Sequence, residues 1–171
     1  MTSREDYNSA EWEGLLRAPI MAGTYIVLAD VSLTAIPKEL KGLSRAVHHQ
    51  PVPSGAADLV SAVVMDLTEG AESDEQLTGI TLQEDPDWRE ALDRYEDPRQ
   101  QVMKLLKQDL AVLEEKAAPQ ERQAFCQWLV DVAQATAEAG REGGLLGIGA
   151  VRVSDQEKAA LTELREALGL D

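Results

Sequence analysis

Apolar residues recur along this chain at helical spacing, in one segment after another. Ile36, Leu40, Leu43 and Val47 step by four, three and four, and Ala56, Val60, Val63 and Leu67 repeat the pattern. Met103, Leu106, Leu110 and Leu113 step by three, four and three. Phe125, Leu129, Val132 and Thr136 continue in the same way beside Trp128, and Leu161, Leu164 and Leu168 follow Glu157. Each series places one stripe of side chains on one face of a helix, with polar residues on the other faces. The pattern predicts a short helix at 9–17 and helices over 19–30, 36–49, 55–69, 86–96, 98–117, 119–139 and 154–168. Narrow stripes repeated in several helices pack as a bundle. The expected fold is therefore all-α, a compact bundle of about seven helices with a glycine-rich apolar loop before the last one.

The punctuation agrees with the spacing. Pro19, Pro37, Pro86, Pro98 and Pro119 each precede a helix-favouring stretch. Proline suits the first helical position, where its missing N–H has no partner to lose. Asp85 and Asp97 stand immediately before two of these prolines and read as N-caps. Ser154 and Glu157 form an S-x-x-E capping box, and Gly169 supplies a stop. Residues 70–84 are polar and acidic and read as a loop. The β-branched content of 23–36 leaves an α+β alternative open, with Gly79–Leu82 and Val151–Val153 as partner strands.

Composition narrows the class. A chain of 171 residues fits a single helical domain over 1–171, and an aromatic share of 4% leaves Leu, Val and Ala to fill its interior. The formal charge is −15, with twelve acids against two arginines between Asp66 and Asp97. That field repels phosphate backbones and anionic lipid surfaces, which argues against nucleic-acid and membrane partners. It favours cations, or a basic patch on another protein. Cys126 is the sole cysteine, so there is no internal disulfide, and its setting between Phe125 and Trp128 predicts a buried, inert thiol. The longest apolar run, Ala18 to Ala29, is too short to span a bilayer, and no basic, apolar leader opens the chain. A soluble, cytoplasmic protein is expected.

Candidate chemistry is sparse. The segment Gly143-Gly-Leu-Leu-Gly-Ile-Gly149 resembles a phosphate cradle, but Ala150 and Val151 stand where GxxxxGK[ST] needs lysine and hydroxyl. Its Leu145, Leu146 and Ile148 suit an apolar contact with the bundle, a partner or a second copy instead. His48 and His49 end a helix, where imidazole complements the dipole, and adjacent helical positions face different ways. The acids from Asp66 to Glu75 lack the order of an EF-hand loop. No G-x-S-x-G elbow occurs, and nothing beside Cys126 activates it. These observations point to a non-catalytic binding or assembly module with a protein partner or self-association.

One resemblance adds to this reading. Ala22-Gly-Thr-Tyr-Ile-Val-Leu-Ala-Asp30 leads to Lys38-Glu39-Leu40, and Val130 to Ala139 leads to Val153-Ser-Asp-Gln-Glu157-Lys-Ala-Ala-Leu161. The closing helix resembles that of TerB-like proteins, the helical family named for tellurite resistance, in which an aspartate-ended helix turns twice into a glutamate-bearing one. The resemblance implies an all-helical fold, a stress-response role and a divalent cation as cofactor. By position it implies Asp30 and Glu39 as one metal-binding pair, with Glu157 as the acid of the second unit. Val31 stands where that family has glycine.

Overall fold

The computed structural model describes residues 1–29, 43, 45–68, 97–139 and 153–170. Among them the fold is all-α: every regular element is helical. Helix α1 spans Ser9–Val27, residues 45–49 form α2, and α3 covers Ala57–Thr68. Helices α4 (Pro98–Lys116), α5 (Pro119–Ala139) and α6 (Asp155–Ala167) complete the order. Short 3-10 turns, Arg4–Asp6 and Ser54–Ala56, precede α1 and α3.

Helix α1 is the hub, packing most extensively on α5 and α4 and also touching α6 and α3. It begins at a capping box: the Asn8 side chain accepts from Glu11 N–H at 3.0 Å, and Glu11 Oε2 accepts from Asn8 N–H at 2.8 Å. The sequence reading divided this region into helices at 9–17 and 19–30 with Pro19 at a helix start, and the structure corrects it. Pro19 lies inside one continuous helix. Its ring removes the N–H that would reach the Leu15 carbonyl, a cost that packing offsets, because Leu15, Ala18 and Pro19 are all buried. Residues Gly23–Val27, assigned in the alternative reading to a strand, are helical as well.

The described residues of the predicted stripes line the core, with Leu67, Met103, Leu161 and Leu168 partly buried at its edge. Leu59, Val60 and Val63 of α3 are fully buried, as are Leu106 and Leu113 of α4 and Phe125, Leu129, Val132 and Thr136 of α5. Trp128 fills the centre with its ring 5.6 Å from that of Phe125. Thr136 satisfies its hydroxyl within the helix, donating to the Val132 carbonyl at 2.8 Å. The expected low aromatic content is realised as an interior mostly of Leu, Val and Ala.

Helix termini follow the signals read from the sequence. Asp97 caps α4, accepting from Gln100 N–H at 3.0 Å, with Pro98 in the first turn. At α6 Glu157 N–H donates to Ser154 Oγ at 3.1 Å, and Ser154 N–H donates to Glu157 Oε2 at 2.6 Å. Gly169 adopts φ +71° at the other end. Leu170 N–H then reaches the Arg165 carbonyl at 3.0 Å and Gly169 N–H the Glu166 carbonyl at 3.1 Å, a Schellman closure that buries Leu170.

The chain start is tied to α5. Glu121 is 3% exposed, and its Oε1 accepts from Thr2 N–H at 2.7 Å and from the Thr2 hydroxyl at 3.1 Å. Tyr7 OH completes the cluster 2.8 Å from Thr2 Oγ1. Beside it Tyr7 and Trp12 pack at 5.9 Å, with Lys116 over Tyr7 and Arg4 over Trp12. Among the described residues no helix is long and apolar enough to cross a membrane.

Candidate functional site

A cleft of about 790 Å³ opens along one face of α4 where α1 and α6 approach it. Its α4 wall is set by helical arithmetic. Gln100, Lys104, Lys107 and Ala111 repeat at i, i+4, i+7 and i+11, which places them on one face, with Met103 and Gln108 beside them. Leu106, Leu110 and Leu113 point the other way, into the core.

The opposite wall is a three-helix latch. Tyr25 of α1 donates its hydroxyl to Glu163 Oε2 of α6 at 2.7 Å. Arg99 of α4 donates from Nη2 to the same oxygen at 2.8 Å, and its guanidinium lies 4.6 Å from the Tyr25 ring centroid. The latch therefore combines a shared carboxylate oxygen with a cation–π contact. Burial is the main cause that pushes the Tyr25 phenol up to about 12, and the hydrogen bond to Glu163 adds to it. Tyr25 thus keeps its proton throughout the neutral range and acts as a donor. Arg99 Nε is buried without a hydrogen-bond partner among the described residues.

A second cavity of about 260 Å³ continues from the first, sharing Lys107 and Ala111 and reaching Arg122 and Cys126. Cys126 is buried as expected, and desolvation pushes its thiol up to about 11, so it carries almost no thiolate at neutral pH. The cleft offers a guest the ammonium groups of Lys104 and Lys107 and the amides of Gln100 and Gln108, while the carboxylates of Asp97 and Glu163 also line it.

Asp30, Glu39, Leu145, Leu146, Ile148 and the loop near 70–84 lie outside the described residues, as do Pro37, Asp85, Pro86 and the helix over 86–96. Asp66 is described, and its carboxylate accepts from Trp12 Nε1 at 2.7 Å, bridging α3 to α1. Glu157 accepts from Ser154 N–H at the α6 cap and is 2% exposed. His48 and His49 close α2 as read, with His49 exposed. No group of three or more His, Cys, Asp or Glu with metal-holding geometry occurs among the described residues.

No protein-family model, curated protein or solved structure matches this chain.

The apolar stripes of the sequence mark the core and not the cleft. The polar repeat Gln100, Lys104, Lys107, Ala111 is a visible signal of a second, non-core face. Its convergence with Tyr25 and Glu163 is not visible, since those two residues are 138 positions apart.

Proposed function

We propose that the protein is a non-catalytic binding or assembly module that works through the α4 cleft. The observation that carries this reading is the cleft itself, a concavity held open at one end by the Tyr25–Glu163–Arg99 latch and presenting donors that the fold does not use. Its volume falls within the range of about 300–1,000 Å³ typical of ligand sites. Photo-crosslinking in cells tests the reading, with the reactive residue placed at Gln108 in the cleft or at Lys158 on the exposed face of α6. Adducts specific to position 108 support a binding role there. Equal adducts at both positions, or none at 108, defeat it.

The cation-binding role implied by the TerB-like resemblance is a separate proposal resting on Asp30 and Glu39. Melting and calorimetric titration with calcium, magnesium and zinc address it directly. No heat and no shift in Tm would remove it.

A further inference from the structure

The chain carries 31 acids against 16 bases, so an exposed cation has a surplus of carboxylates to pair with. Arg17, Arg99, Lys116, Arg122 and Lys158 each do so. Arg4 and Arg165 bond only to carbonyl or amide oxygens, and Arg45, Lys104 and Lys107 make neither an ion pair nor a hydrogen bond to a described residue; of these three only Lys104 and Lys107 share the cleft, three positions apart. The side chains of Gln100 and Gln108, which flank them on that face, are likewise uncommitted among the described residues.

From this we infer that the cleft binds a small organic anion bearing at least two negative charges, a phosphate ester or a polycarboxylate, with Lys104 and Lys107 as its charge-bearing contacts. The inference deepens the binding-module reading and rests on it. Residues three apart on a helix have Cβ atoms about 5–6 Å from one another, so two flexible lysine stems can bring their ammonium groups onto one oxyanion. Gln100 and Gln108 add amide donors a turn away on either side. Arg99 is held by Glu163 and Tyr25, and so shapes the end of the site while its charge is balanced. Met103 and Ala111 supply an apolar surface for the carbon body of the guest.

The net charge of −15 does not forbid such a guest. At physiological ionic strength the Debye length is about 8 Å, so the potential inside the cleft is set by the nearest groups. The carboxylates of Asp97 and Glu163 also line the cleft, but Glu163 is balanced by Arg99 and Asp97 accepts from Gln100 N–H, which leaves Lys104 and Lys107 as the cations there without an ion pair among the described residues.

The test is a heteronuclear NMR titration of the full ¹⁵N-labelled chain with pyrophosphate, with citrate, and with sodium chloride at matched ionic strength. The expected result is saturable shifts at Gln100, Lys104, Lys107 and Gln108 with one or both polyanions and none with chloride. A preference for pyrophosphate identifies a phosphorylated guest, and a preference for citrate identifies a polycarboxylate. The double variant Lys104→Gln/Lys107→Gln should weaken binding about tenfold or more, since each lysine contributes a charge-assisted contact. Lys158→Gln, outside the cleft, should leave it unchanged. The variants replace exposed side chains, and an unchanged melting curve verifies that each is folded. Absence of saturable shifts, or shifts that chloride reproduces, would overturn the inference. If the anions fail while crosslinking from position 108 persists, the anion assignment falls and the binding-module reading stands. If both fail, both readings fall.

Discussion

Tyr25 and Cys126 make the alkaline limb of the stability curve a direct report on the core. Each holds its proton longer in the folded chain than in the unfolded one, chiefly because burial disfavours the anion. Stability from Tyr25 is therefore complete below its ordinary value of 10.0 and is lost as pH rises from there through about 12. For Cys126 the corresponding window runs from 9.0 to about 11. The urea midpoint should be level below these windows and fall steadily through them, and Tyr25→Phe should flatten its upper part. A midpoint unmoved by that substitution would mean that Tyr25 is not the group titrating. At neutral pH Tyr25→Phe also removes the hydrogen bond to Glu163 and should cost about 0.5–1.5 kcal/mol in chemical unfolding. Ser154→Ala, which removes the α6 cap, should cost about 1 kcal/mol by the same measurement. The two residues differ in how readable they are. The Ser154 cap is a relation between positions three apart, and spacing alone reveals it. The partner of Tyr25 sits on a helix that only the assembled fold brings near.

Single helices were largely legible from the sequence, because the stripes of α3, α4, α5 and α6 and the caps at Asp97 and Ser154 are local chemistry. Pro19 shows where that reading breaks down. A proline that opens a helix and one embedded in it look alike in one dimension. The difference lies in the packing of Leu15 and Ala18 against neighbouring helices. Between elements, the turn before α3 approaches α5 closely. A Cβ at Gly55 would lie 2.9 Å from Ala124 Cβ, with no flexible side chain to yield. Gly55→Ala should therefore destabilise by about 1–3 kcal/mol in denaturant unfolding. Adding Ala124→Gly to it should return part of that loss, despite the roughly 1 kcal/mol cost of a helical glycine. Two losses that merely add would show that the contact is not the cause.

For the whole molecule, charge sets the behaviour. A net −15 on a compact body repels itself, and the unfolded chain relieves that repulsion by expanding. Raising sodium chloride from about 10 mM to 150 mM shortens the Debye length from roughly 30 to 8 Å and should raise the urea midpoint. The bidentate Arg17–Asp109 pair, at 3.0 and 3.2 Å, weakens over the same range, but it is half-exposed and contributes little. A midpoint that fell with salt would make local ion pairs, and not global repulsion, the dominant electrostatic factor. The sign and unevenness of the charge were plain in the sequence. The unpaired lysines were not, because pairing is a property of the surface that folding creates.

The anchoring of Thr2 by Glu121 also imposes an order in time. The two residues are 119 positions apart, and α1 relies on α4, α5 and α6 to cover Leu15, Ala18, Ala22 and Ile26. At about 5–20 residues per second, the ribosome releases Thr2 roughly 6–24 s before its acceptor exists. Until α4 is made, the nascent chain carries a helix whose apolar face has only α3 and the preceding segment to shelter it. The hub of the finished bundle is thus the part of the growing polypeptide that waits longest, bare, for its neighbours to be made.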